Sequence, residues 1–467
     1  MNFSLNFAKG WGHSTYILRA LGFWQFDYNR SKIWKTVVQN AMCIFSIMTM
    51  TCVSALNALE LILGTMPVST FLFNMILFVR ITSVLFAALA FKLKSHKIEK
   101  LLALFTDVSA PRQVEHLVQR MIQSVHIPSR RIYLFYLVLL LSVLPNVLIS
   151  PYAAHYFAAE DDIPKYKLPA RLWHPFDFDK YPFMYGIVYF FQVSFGIPAM
   201  LLLLGLNVLY LGFASTACHL MDHLCATLKE LHRPRWIRCG AFRVGAKKTN
   251  ENYQTAVERA LNYAVQHHQR TIMFVDLTNE IFSQLMLADM SAIALAVGAM
   301  ALQIINPDVS WERFSSALQI LIFELAYFCV VCYLSSDLIS KSGKQLQSSC
   351  YGSAALNWSS SNQRTARIIR LRADASALQL RAGPFHTLSL STFRAVSLTK
   401  LTESAETSHP PTLRCLSRPF SSGQLPDQFV PHKLGAPAPR TSISSKPGNL
   451  SLKSLFKVTL ALVQSRV

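Results

Sequence analysis

The sequence predicts an all-α protein, a polytopic transmembrane helical bundle with a cytoplasmic amino terminus, six clear spans and an incomplete seventh. Composition is the first observation behind this: of 467 residues, 52% are hydrophobic and 15% are charged, whereas soluble proteins carry about 25% charged residues. The second is the recurrence of apolar runs near the roughly 20 residues that a helix needs to cross a bilayer. The third is that basic residues collect in alternate segments between those runs. A formal charge of +20 invites a nucleic-acid reading, which needs a basic patch on one soluble domain. Interleaved with apolar runs, the charge instead records orientation in a lipid bilayer, and no nucleic-acid partner is expected.

Residues 1–35 form a cytoplasmic segment without the basic, apolar and cleavage regions of a signal peptide. The first span is therefore expected to act as its own insertion signal. The bundle occupies 36–340, with spans at Val37–Leu63, Val68–Phe91, Ile132–Ala153, Phe183–Ala214, Phe282–Ile305 and Phe314–Ile339. Ser46, Thr49, Thr51, Ser54 and Asn57 dilute the first, while Ile197–Leu211 makes the fourth strongly apolar. Lipid offers no hydrogen-bond partner to the backbone, so each span closes its own bonds as a helix.

Orientation follows from the connecting segments. Lys9, Arg19, Arg30, Lys32 and Lys35 precede the first span, and Lys92, Lys94, Lys97 and Lys100 follow the second. A long basic loop, 215–270, with a partly helical pattern, follows the fourth. The first loop, Gly64–Pro67, has no basic residue and the fifth only Arg313. Acidic residues such as Asp161, Asp162 and Asp177 offset Lys165, Lys167 and Arg171 in the third. The positive-inside rule then places the amino terminus in the cytoplasm of a multi-pass cell-membrane protein.

Few residues suggest chemistry. Arg80 lies near the middle of the second span, where charge is expensive and faces a partner, the bundle interior or water. It reads either as a cavity-lining cation that contacts a ligand or as a partner of Glu324 or Asp289. Those two acids read as helix-packing polar groups rather than as ion-binding sites. The adjacent His267 and His268 point to different helix faces, unlike metal ligands spaced by three or four residues. The nine cysteines have no regular spacing, so neither a disulfide framework nor a zinc site is expected. No nucleophile elbow, phosphate-binding glycine loop or zinc-protease motif occurs; no enzyme, metal or cofactor is expected. Asn357-Trp-Ser359 matches a glycosylation sequon on the expected cytoplasmic side.

Several stretches, in order, carry a resemblance. Trp173-His-Pro-Phe-Asp-Phe178 with Tyr181-Pro-Phe183 leads into the fourth span, and His267-His-Gln-Arg270 with Phe274 and Glu280-Ile-Phe282 into the fifth. Cys332 and Tyr333 open a segment read as a polar helix carrying Asp337, Ser340 and Trp358. That segment closes on Leu380-Arg-Ala-Gly-Pro-Phe385, which contains Gly383, and on Leu388-Ser-Leu-Ser-Thr-Phe393. Together they resemble the insect odorant receptor family over most of Met1–Val396. The resemblance implies a seven-transmembrane, inverted-topology subunit of a ligand-gated cation channel that binds a small volatile organic ligand. It also implies assembly with the odorant co-receptor as a hetero-tetramer, through an anchor made of the cytoplasmic extensions of helices four to seven. G-protein-coupled receptors have the opposite orientation. The gustatory branch is separated by the missing Thr-Tyr and Gln-Phe ending, and a transporter would need paired repeats.

In the family a ligand sits between the outer halves of the helices, in a mostly apolar pocket with few polar groups. By position, Phe78, Pro145, Tyr152, Tyr185, Tyr189, Phe190 and Met300 fit such a pocket. Interfacial tyrosine belts and core aromatics account for the same positions, and Pro145 and Pro198 also fit as helix kinks. Residues 341–397 read as the carboxy-terminal anchor and the start of the seventh helix. The family continues that helix beyond Leu-Ser-Leu-x-Thr-Phe to line the ion path. Here residues 398–467 turn polar, basic and Pro/Ser-rich, the composition of disorder. Leu455–Val463 is short and interrupted by Lys457. A six-span product with a cytoplasmic tail, non-conducting by itself, is therefore expected.

Overall fold

The computed structural model describes residues 12–24, 33–109, 170–175, 180–231, 253–305, 311–350, 358–375 and 378–395, with a few single positions between them. Among these residues the protein is helical. In order come α1 (Gly12–Ala20), α2 (Ile33–Leu63), α3 (Val68–Leu93), α4 (Ser95–Ser109), α5 (Pro182–Leu231), α6 (Tyr253–Ile305) and α7 (Trp311–Ser340). A π-helical segment, Lys341–Gln345, joins α7 to α8 (Leu346–Ser349), and α9 covers Ser360–Ala375. The strands β1 (Arg381–Ala382) and β2 (His386–Thr387) then pair antiparallel as a small hairpin, before a last helical turn, α10, at 390–395.

Among the described residues, five helices are long and apolar enough to cross a membrane: α2, α3, α5, α6 and α7 carry the spans. They coincide with five of the runs expected from hydropathy. The sixth, Ile132–Ala153, lies outside the described residues, as does the tail after 395. The local reason for each helix is simple. An apolar stretch of this length satisfies its backbone only by internal bonds, and Gly64–Pro67 stops α2 and lets α3 begin at Val68.

The stretch 215–270 departs from the sequence expectation. Instead of a loop, α5 and α6 continue unbroken through most of it, reaching 50 and 53 residues. At about 1.5 Å per residue each is about 75–80 Å long, well beyond a bilayer core of about 30 Å. The basic residues between them, Arg233 to Lys248, disguised these extensions. Leu220, Met221, Leu224, Cys225 and Leu228 on α5, and Val257, Ala260, Leu261 and Ala264 on α6, are all buried. Their i, i+3, i+4 spacing makes one apolar face per helix, while the basic residues occupy the other faces. The expected polar helix through Trp358 is also corrected. The chain leaves helix after α8, and Trp358 sits buried in the approach to α9, because its indole is drawn into the core.

Short polar contacts fasten the elements. Gly22, with φ 79°, ends α1 in the left-handed conformation that glycine adopts without steric cost. Lys341, in the π segment, bridges α5 and α7 through Asp222 Oδ2 at 2.6 Å and Asp337 Oδ2 at 2.8 Å. Lys94 donates across to α6, to the carbonyls of Glu280 at 2.9 Å and Ile281 at 3.3 Å, while Lys97 pairs with Glu280. Burial pushes the Lys94 ammonium below its usual range, and Lys97 adds to the effect.

Candidate functional site: a buried ion triad, an aromatic ladder and a hairpin clasp

The three charged residues within the spans meet. Arg80 on α3 donates Nη1 to Asp289 Oδ1 of α6 and Nη2 to Glu324 Oε2 of α7, both at 2.6 Å. All three side chains are at most 12% exposed. The guanidinium is planar and forked, so it can reach two carboxylates on two helices at once. The triad thus ties three spans together at one depth.

A cavity of about 20 Å³ adjoins it, with Asp289, Ser83 and Asn207 on its wall among apolar neighbours such as Leu203, Phe282 and Met286. One water needs about 10–15 Å³ on this measure, whereas drug-sized ligand pockets run to about 300–1,000 Å³. The cavity is therefore water- or ion-sized. Deeper along α5, Tyr210 and Phe213 pack on Phe282 with ring centroids 5.4 and 5.8 Å apart, closing the interior.

Nearer the start of α5 lies an aromatic ladder. His174 and Phe178 are 4.3 Å apart, Phe178 and Tyr185 5.9 Å, and Tyr185 and Tyr189 6.0 Å between ring centroids. Tyr185 and Tyr189 share a face because they are one turn apart, and both are half-buried. Phe78 on α3 is half-buried too. Phe190 does not join them: it is 73% exposed, because one further residue turns about 100° around the helix. Pro145 and Tyr152 lie outside the described residues, and so does the Met300 side chain, on α6. Pro198 stands inside α5. Gln192, 4% exposed, holds the segment before α5 by donating to Ala170 O at 3.0 Å and accepting from Ala170 N at 2.9 Å. Gln192→Ala leaves both backbone groups without that partner and is expected to cost about 1–3 kcal/mol, measured as a fall in thermal stability of the purified protein.

The third feature is the hairpin clasp formed by 379–393. Gly383, at φ 65°, makes its turn, and its N–H donates to Ser283 O on α6 at 2.7 Å. Asn279 donates to Gln379 O at 2.8 Å and accepts from Arg381 N at 3.0 Å. On the α7 side, Ser335 donates to Leu388 O at 2.7 Å and Ser336 accepts from Leu390 N at 2.9 Å. Leu388 is fully buried, and Phe393 packs on Phe328 at 5.7 Å. Cys332 is buried, Ser340 closes α7, and Tyr333 and Phe385 are exposed at 59% and 87%. The clasp binds α6 and α7 to the turn that launches α10. Asn279→Ala is expected to cost about 1–2 kcal/mol and to speed amide exchange in 379–388, read by mass spectrometry.

Sequence reasoning missed Asn207, Ser83, Asn279 and the Ser335–Ser336 pair. Asn207 could have been found as the amide interrupting the Leu-rich run of the fourth span. His267 and His268 are buried, and no group of three or more His, Cys, Asp or Glu side chains suited to a metal occurs among the described residues.

Membrane-length helices locked by a buried ion triad and a hairpin clasp define a polytopic helical membrane protein. Its sequence matches the 7tm Odorant receptor family over residues 67–399, most of the chain, and the protein belongs to that family. The insect olfactory receptor OR5 from Machilis hrabei, solved in complex with eugenol, shares its fold with a TM-score of 0.69 at 15% identity. That match covers 85% of this chain and 97% of the other. The same receptor, in a structure described without eugenol, gives a TM-score of 0.68 at 16% identity, over 85% and 96% of the two chains. No curated protein matches the sequence.

Proposed function

We propose that this odorant receptor is the odorant-binding subunit of a heteromeric ligand-gated cation channel, assembled with the odorant co-receptor. The observation that carries it is the family membership across 67–399, joined to the fold of a receptor solved with eugenol bound. The ligand is a small volatile organic molecule bound between the outer halves of the helices. Tyr185, Tyr189 and Phe78 are the contributors with described side chains, joined by Pro145, Tyr152 and Met300. A ligand opens the channel by binding the open arrangement more tightly than the closed one. The amino terminus is cytoplasmic, as the basic residues before the first span favour. The α5 and α6 extensions, with α9, form the cytoplasmic anchor for assembly.

The test is co-expression with the co-receptor in cells and recording of currents across an odorant panel. Odour-evoked current that disappears without this chain supports the proposal. In a responding pair, Tyr189→Ala is expected to shift the half-maximal odorant concentration about tenfold or more, since losing an aromatic contact and its burial amounts to about 1.5–3 kcal/mol.

A second reading rests on the residues after Phe393. Arg394, Ala395, Val396 and Ser397 lead into polar, Pro-rich sequence with no apolar run of membrane length. That composition favours a product whose tail stays cytoplasmic and which does not conduct. Silence with surface expression verified supports this reading, and protease protection of an epitope in the tail on intact cells locates it inside.

A further inference from the structure

With both carboxylates ionised, the ion triad carries one negative charge in excess. Arg80 brings one positive charge to two carboxylates, Asp289 and Glu324, at side-chain exposures of 12%, 10% and 4%. Uncompensated charge in such surroundings is costly. The cavity beside the triad supplies polar groups and no basic residue. Asp289 uses Oδ1 to accept from Arg80, and its Oδ2 takes no hydrogen bond from a described residue. Asn207 is 5% exposed and lines the same cavity. Its side-chain amide makes no hydrogen bond with any described residue, nor does the Ser83 hydroxyl. Buried amides without partners are rare, and here one stands on α5 facing a carboxylate on α6 and a hydroxyl on α3.

We infer that this cavity binds a small monovalent cation, with Asp289 Oδ2, Asn207 Oδ1 and Ser83 Oγ as oxygen ligands. Carboxylate, amide carbonyl and hydroxyl oxygens are hard donors suited to hard cations. The charge surplus is one, which a monovalent ion neutralises and a divalent ion overshoots. The volume of about 20 Å³ admits an alkali ion and excludes an organic ammonium. Intramembrane carboxylates of this kind mark ion sites when they face a cavity. Occupancy links α3, α5 and α6 directly, and α7 through the Arg80–Glu324 pair. The cation therefore stabilises this arrangement of the four helices against any state that moves α5 away from the triad.

The test is thermal unfolding of the purified full-length chain in lipid nanodiscs, in NaCl against choline chloride at equal ionic strength. Saturating Na⁺ is expected to raise the Tm on the order of 2–4 °C. Asn207→Leu, which leaves the triad intact, is expected to keep the choline Tm and lose the Na⁺ rise. Asn207→Asp adds an oxygen ligand with charge and is expected to reach the full rise at several-fold lower NaCl; it serves if Asn207→Leu does not fold. Equal Tm values in the two salts, or a full Na⁺ rise in Asn207→Leu, would overturn the site. A Tm that follows pH and ignores Na⁺ also overturns it, because a proton on a carboxylate then cancels the surplus charge.

Discussion

Arg80→Leu is expected to abolish accumulation of folded receptor at the cell surface. The substitution removes the one cation of the triad and leaves Asp289 and Glu324 facing each other in the interior. Breaking a buried pair from one side typically costs about 3–5 kcal/mol, a large part of the roughly 5–15 kcal/mol that holds a typical domain. Fluorescence-detected size exclusion should show loss of the monodisperse peak, and surface labelling should fall to background. Because the cost is an unpaired charge rather than a lost shape, neutralising the acids should reverse it. Arg80→Leu combined with Asp289→Asn and Glu324→Gln is expected to regain most of the peak. A single Arg80→Leu variant with wild-type yield and melting behaviour would show that the triad is not structural.

Gly383→Val should release the hairpin clasp. Gly383 has φ 65°, a region that costs an L residue about 1–2 kcal/mol and a β-branched one more. A Cβ there would also stand 2.7 Å from Leu287 Cδ2 on α6. Crowding of that kind adds about 1–3 kcal/mol, so the total is roughly 2–5 kcal/mol. Hydrogen exchange should then accelerate from Phe385 to Leu388 and through α10, while the spans α2 and α3 keep their protection. Gly383→Ala should give a smaller effect, since Leu287 is flexible at its tip and can withdraw. Adding Leu287→Ala to Gly383→Val should recover the crowding part and leave the backbone part. Unchanged exchange across 380–395 in Gly383→Val would mean that the clasp does not depend on this turn.

These two sites differ in how far the sequence announced them. Arg80, Asp289 and Glu324 were each visible as charges inside apolar runs, with pairing as one of two open readings. Gly383 was visible as part of a family motif, but its reason was not: the left-handed turn and the close approach to Leu287 exist only once α6 lies against the hairpin. Phe190 follows Tyr189 in sequence, but one further residue turns about 100° around the helix, and its side chain is exposed in the structure. The extensions of α5 and α6 were read as part of one basic loop because Arg233, Arg235, Arg238, Arg243, Lys247 and Lys248, which lie between them, dominate the segment's charge, although the apolar residues on either side fall on one face of each helix. Trp358 was assigned to a helix that stops short of it.

By itself the sequence determined that the chain crosses a membrane as helices, where five of its described spans lie and which family its motifs resemble. Each of these is a local property. A run of about 20 apolar residues is a span whatever surrounds it, and a motif is read residue by residue. Only the tertiary structure decided that Arg80 reaches partners 209 and 244 positions away, or that Asn207 lines the Asp289 cavity without a hydrogen bond to any described residue. It alone also decided that residues 379–393 clasp α6 to α7. Those outcomes depend on how helices distant in sequence pack against one another, and packing is set by the complementarity of whole faces, which no single stretch of the chain contains.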